Sequence, residues 1–311
     1  MSTHLPDAAR TAFTPNSTVA CARPYPSADM HKRITSSQRR AIRHGAVVAG
    51  LIVAFWVYVV LQDPTWRHPG TDGLVYWGAN LDHLYEGSTV GGANAYLYSP
   101  AFAQIFAVIG GLPRGVFVVC WTLFLAAVAV WLARPWPASL LVLALPVSQD
   151  VLIGNIHVLL AAAIVLGFRW SAAWVVPLLT KVTPGVGLLW FLARREWRNL
   201  TVALVTTAVV AGASFAIAPQ LWLDWIALLR HDGGNGGQYL LPRLAAAALV
   251  VLWGAMTDRP WAVPLAAMLA LPVVWMDSFA MLLGCVALGP RRRPSPVPAE
   301  AASVGVAAAS G

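Results

Sequence analysis

Apolar runs bounded by proline, glycine or charge recur along most of this chain and limit its fold more than any other feature. They fall roughly at 44–62, 99–112, 115–133, 137–148, 156–168, 170–192, 200–218, 241–257, 260–275 and 278–289. A helix needs about 20 apolar residues to cross a bilayer. The pattern therefore predicts an all-α, polytopic transmembrane protein of about 10 segments, the shorter ones tilted, broken or buried among neighbours. Charged residues are only 11% of the chain, against about 25% in soluble domains, which excludes a soluble globule.

Residues 1–43 are polar, basic and rich in Pro, Ser, Thr and Ala. They read as a disordered cytoplasmic N-terminus. Residues 44–289 read as the membrane domain and 290–311 as a second disordered tail. The first apolar run begins too late for a cleaved signal peptide and reads as an uncleaved anchor.

The net charge of +8 is explained by topology rather than by nucleic acid. Seven Arg and Lys residues precede the first run. Counting spans from a cytoplasmic N-terminus also puts Arg114, Arg194, Arg195, Arg198, Arg259 and Arg291 to Arg293 inside, in line with the positive-inside rule. The expectation is a multi-pass plasma-membrane protein with both termini cytoplasmic. Cys21, Cys120 and Cys285 have no paired spacing and read as buried small residues. The phosphate-loop, zinc-protease and serine-hydrolase motifs are absent.

Two outer loops, about 63–98 and 219–240, are long, as functional loops often are. In TDGLVYWGANLDHLYEG (71–87), Leu74, Trp77, Leu81 and Leu84 make an apolar stripe at helical spacing. Asp72, Tyr76, Asn80 and His83 recur on the opposite face. A surface helix is expected here, apolar side toward lipid, its start capped by Thr71 or Asp72.

Several polar residues carry two readings each. Asp72 is either a solvated loop acid or a general base whose pKa rises through partial desolvation beside Tyr76 and Trp77. Lys181, one of two lysines, sits in the apolar run VVPLLTKVTPGVGLLWF. A cation there costs at least about 2.5 kcal/mol at mid-bilayer. It is either half of a buried ion pair with Asp150 or Asp277, or a contact for a lipid-linked phosphate. Asp150, Asn155 and His157 form either an inside turn or a helix interruption lining a cavity. Asp277 is either interfacial or part of the Asp72 site. Asn235, Gln238 and Arg243 form a weaker set.

The order of these motifs resembles the actinobacterial C-type glycosyltransferases that use polyprenyl-phosphate mannose, related to the phosphatidylinositol-mannoside mannosyltransferases. The resemblance lies in DGLVYWGANLDHLYEG, then YLYSPAFAQIFAVIGGLP, then LTKVTPGVGLLWFLARREWRN, then GNGGQYLLPRL. It implies an outer active site where Asp72 deprotonates an acceptor hydroxyl. The acceptor is a lipid or glycan, and the sugar transfers with inversion as polyprenyl phosphate leaves.

In that reading Tyr76 and Tyr98 shape the sugar site and Lys181 meets the phosphate. Asn80, Asn155, His157, Asn235, Arg243 and Asp277 complete the candidate substrate-binding set. No metal ligand set is read, and a need for a divalent cation stays open. The chain departs from the family at Gly154-Asn155, where Gly-Gln is common, and at Trp275-Met276-Asp277, where a His often follows Trp. The alternatives are a transporter or lipid flippase, or a non-catalytic membrane partner descended from such enzymes.

Overall fold

The computed structural model describes residues 69–89, 92, 95–232 and 239–289. The anchor expected at 44–62, both terminal tails, Cys21 and Asn235 lie outside them. Among the described residues the fold is helical, with no strand.

The first described helix is α1 (Thr71–Trp77), followed by a 3₁₀ turn, Leu81–His83. Next come α2 (Pro100–Ile109), α3 (Arg114–Ala133), α4 (Ala144–Ile153) and α5 (His157–Gly167). Then follow α6 (Val175–Thr180), α7 (Leu189–Ala193), α8 (Trp197–Ile217) and α9 (Pro219–Asp232). The last are α10 (Leu240–Met256), α11 (Ala262–Leu269) and α12 (Leu282–Ala287).

Among the described residues, α3 and α8 alone are single helices long and apolar enough to cross a membrane. The bent pair α4–α5, turning by 105°, can count as a third crossing. The expected ten segments are not found as such, because several apolar runs fold back on themselves. The run 170–192 breaks at Lys181 and Val182, and Val182 adopts φ 48°, a region β-branched residues avoid. Beyond the break the chain returns against its own first half. A Cβ on Gly185 would lie 2.5 Å from Leu178, and one on Gly187 would lie 2.3 Å from Trp174. The separate runs 260–275 and 278–289 also pack closely: a Cβ on Gly284 would meet Pro264 at 2.9 Å. These glycines let hairpin arms touch backbone to side chain.

Helix α2 is another correction. Ten residues span about 15 Å, half of a roughly 30 Å hydrocarbon core. Both of its ends stay beside α1. Tyr98, just before it, meets the Tyr76 hydroxyl at 2.9 Å. Leu112, just after it, accepts a hydrogen bond from Trp77 Nε1 at 3.0 Å. Arg114 therefore lies at the α1 end of the bundle, not across the membrane from the first loop as span counting placed it.

Arg134 follows α3, about 30 Å further along at 1.5 Å per residue. Phe168 packs on Trp190 at 5.4 Å, and Arg194 bonds Asp258 at 2.9 Å. Arg169, Arg194, Arg195, Arg198 and Arg259 thus gather at the end away from α1.

The outer faces of α3 and α8 are apolar and exposed, as at Val119, Leu123, Val205 and Val209. Cys120 is exposed on α3, not buried as expected. The core is aromatic near α1, where the Tyr76 ring meets Tyr98, Phe102, Phe106 and Trp121 edge-on.

Candidate active site

The first loop does not form the long amphipathic helix that its periodicity predicts. Helix α1 stops at Trp77, and Gly78 closes it by donating to Leu74 O. Asn80 then starts the 3₁₀ turn, its Oδ1 accepting from Asp82 N at 3.1 Å. The residues expected on one polar face therefore separate. Tyr76 is 1% exposed in the core, while Asn80 and His83 are exposed. The start is capped by neither Thr71 nor Asp72. Gly70 takes the cap position at φ 83°, with no side-chain cap bond.

That glycine start lets α1 press on the α4–α5 bend. Gly70 N donates to Leu152 O at 2.7 Å. A Cβ on Gly73 would meet Trp121 at 3.0 Å, and one on Gly154 would meet Gly73 N at 3.1 Å. Trp121 Nε1 bonds Gly154 O at 2.8 Å. Gly154 sits at φ 77°, which ends α4 and turns the chain. The Asp150–His157 segment is thus a helix interruption beside Asp72, not a turn on the opposite side.

Three helix breaks converge here, at 150–157, at 181–183 and at 272–278. Asp150 is fully buried. Its Oδ1 accepts from His157 N at 3.3 Å and Oδ2 from Val158 N at 2.9 Å, so it serves the first turn of α5. His157 Nδ1 lies 3.0 Å from Asp150 Oδ1 and 3.2 Å from Asp277 Oδ2. Its Nε2 lies 3.0 Å from Lys181 Nζ. An ammonium only donates. With Lys181 as the ammonium, Nε2 is the acceptor and the ring proton is on Nδ1, facing the carboxylates.

Lys181 makes neither ion pair expected from sequence at direct contact distance. Its partner is the imidazole, and its Nζ stands 5.8 Å from the centre of the Tyr98 ring. A second chain of contacts runs through amides and phenols. Asn155 Nδ2 donates to Asp277 Oδ2 at 2.8 Å, and Asn155 Oδ1 accepts from Ile156 N at 2.8 Å. Tyr76 Oη approaches Asn155 Oδ1 at 3.4 Å and Tyr98 Oη at 2.9 Å.

Asp72 is partly buried at the edge of this network. Burial pushes its carboxyl up from the ordinary 3.8 to about 6; Asp277 adds to the rise and Lys181 opposes it. A carboxylate of that pKa is ionised at neutral pH and holds a proton well enough to take one from a hydroxyl in a transition state.

Asp150, His157 and Asp277 also bring three metal-ligand atoms within 4.8 Å of one another. Those atoms already make the hydrogen bonds above. The imidazole nitrogen facing away from the acids is on the Lys181 ammonium. The donor set therefore fits a closed hydrogen-bond network better than a cation cage.

The structure brings together Asp72, Tyr76, Tyr98, Asn155, His157, Lys181 and Asp277 from the sequence-derived set. It does not bring Asn80 there. Arg243 instead donates from Nη2 to Pro272 O, anchoring the segment that leads to Asp277. Trp121 is a member of the site that the sequence does not single out, whereas Asp150 stands out in it as part of the Asp150–His157 island and as a possible partner of Lys181.

The profile of glycosyltransferase family 87 matches residues 96–310, well over half of the chain. The chain belongs to glycosyltransferase family 87. This is a C-type glycosyltransferase-like family of membrane enzymes, so glycosyl transfer between substrates held at a membrane is the activity that comes with it. The matched region contains all three helix breaks; Asp72 and α1 precede it. No curated protein and no solved structure matches the chain.

Proposed function

We propose that this family 87 member transfers a sugar, by resemblance mannose, from a polyprenyl-phosphate donor to a lipid or glycan acceptor at the outer face of the plasma membrane. Asp72 takes the proton of the acceptor hydroxyl. The acceptor oxygen bonds to the anomeric carbon as the bond from that carbon to the phosphate oxygen breaks. The configuration inverts, and polyprenyl phosphate leaves as the anion. Lys181 meets the negative charge on the departing phosphate, an electrostatic role suited to a water-poor site. His157, fixed by Asp150 and Asp277, holds the Lys181 ammonium in position. Tyr76, Tyr98 and Asn155 shape the space for the sugar.

The observation that carries this reading is a partly buried Asp72 at the edge of the network that holds Lys181, the only lysine among the described residues; burial there raises the Asp72 pKa. The basic residues gathered at the far end support an outward-facing Asp72, since basic residues favour the cytoplasmic side. Family membership disfavours the transporter reading.

The test is transfer from a labelled polyprenyl-phosphate mannose in membranes carrying the wild type or Asp72→Asn. Wild-type transfer and loss in the variant, with equal protein in the membrane, is the expected result. Transport of substrate without transfer contradicts the proposal.

A further inference from the structure

We infer that a cavity of about 500 Å³, on the opposite flank of α1 from the His157 network, holds the hydroxyl-rich glycan of the acceptor. The inference rests on the transferase reading above and adds an acceptor subsite to it. Helix α1 is the partition. Gly73 and Tyr76 pack toward Trp121 and Asn155, while Thr71, Leu74, Val75 and Gly78 line the cavity. The spacing 71, 74, 75, 78 is one helical face. Its rim at Thr71 is the neighbour of Asp72, so a glycan lying there can extend one hydroxyl to the proposed base.

The lining has the chemistry of sugar recognition. Asn80, His83 and Glu86 from the 80–86 turn and Arg114 from the start of α3 supply donors and acceptors. Their charges oppose one another: Glu86 bonds His83 at 2.8 Å, and Arg114 faces the same space. Such a balanced wall suits neutral hydroxyls rather than a phosphate.

Tyr96 closes the cavity on the side of the aromatic core. It lines the cavity and is 3% exposed, yet its hydroxyl has no hydrogen-bond partner among the described residues. The hydroxyl is sealed off from solvent, so the Tyr96 ring and not its oxygen forms this part of the cavity wall. The Tyr96 ring also lies edge-on to Tyr98 at 5.5 Å, which ties the cavity wall to the Lys181 side.

The test uses the full chain in lipid nanodiscs with three probes: α-1,6-mannobiose, maltose and α-1,5-arabinobiose. Binding is read by saturation-transfer NMR titration. At least one probe should bind saturably, and Glu86→Gln and Arg114→Gln should each weaken it about five-fold, the scale of one net hydrogen bond. Both variants should leave thermal unfolding unchanged, because both side chains are exposed, and that separates ligand binding from a structural role.

The inference is overturned if no probe binds, or if both variants bind like the wild type. Transfer from labelled donor is measured in the same nanodiscs. Transfer without probe binding sinks this inference and leaves the proposed function standing. Probe binding without transfer supports the cavity as a glycan site and overturns the proposed function.

Discussion

Asn155 donates its side-chain amide to Asp277 Oδ2 at 2.8 Å, across 122 positions of sequence. These are the two places where the chain departs from the pattern of the enzymes it resembles. Their contact makes the departures one feature: a shorter amide meets a carboxylate that also faces His157 at 3.2 Å. Substitutions at the two positions should therefore be non-additive. Asn155→Ala and Asp277→Asn are each expected to lower transfer at least ten-fold. The double variant should lose less than the sum, with a coupling of about 1–3 kcal/mol in a double-mutant cycle.

His157 reaches Lys181 through Nε2 and the two carboxylates through Nδ1. Removing the ring frees the ammonium from its only direct side-chain hydrogen bond among the described residues. His157→Ala should raise the KM for the polyprenyl-phosphate donor about ten-fold and change the acceptor KM little. Lys181→Met should do the same and lower kcat as well, since a charge that stabilises the leaving phosphate acts in the transition state. Steady-state kinetics with each substrate varied in turn checks both.

Gly154 combines φ 77° with a close approach to Gly73 and Trp121. Alanine there meets strain and a clash together. Gly154→Ala is expected to destabilise by about 1–3 kcal/mol, seen as a lower unfolding midpoint in detergent. It should also uncouple α1 from the α4–α5 bend and reduce activity in the protein that remains folded. Gly111, whose added Cβ meets nothing within 4 Å, serves as the matched control.

The three potential metal ligands Asp150, His157 and Asp277 spend their ligand atoms on hydrogen bonds. Transfer is accordingly expected to survive EDTA treatment with less than two-fold loss. Loss on chelation and recovery with a divalent cation would reassign the cluster.

Much of the site could be read from the sequence because polar groups in apolar surroundings are costly and stand out. Asp72, Lys181, Asp277 and the Asp150–His157 island were all visible for that reason. Their meeting was legible only as one of two readings, with Asp277 either interfacial or part of the Asp72 site and the island either an inside turn or a helix interruption. It depends on helices that stop, and a run such as 170–192 has the length and composition of a span. What marks the reversal is local: Pro184 beside Lys181, then Gly185 and Gly187, each allowing the returning arm to touch Leu178 or Trp174.

The first-loop helix failed in the opposite sense. Its period was right through Trp77, but Gly78 and the Asn80 turn ended it, so Tyr76 and His83 went to different places. Span counting then misplaced Arg114, because a ten-residue α2 does not carry the chain across.

Ionised Asp72 is disfavoured in the fold, since its folded pKa of about 6 lies above the ordinary 3.8. The stability it contributes in its protonated form is fully present below about pH 4 and is lost as pH rises through 6. Asp72→Asn should therefore abolish transfer while leaving stability at pH 8 unchanged, or raising it by on the order of 1–2 kcal/mol after solvent screening.

The pH dependence of acceptor kcat/KM tests the central claim most directly, because a general base must be ionised to act. The wild type should show a rising limb of unit slope with an apparent pKa near 6 and a plateau above pH 7. Asp72→Asn should show no measurable rate across the same range. A wild-type profile flat from pH 5 to 8, or an Asp72→Asn variant that keeps its rate, contradicts the account.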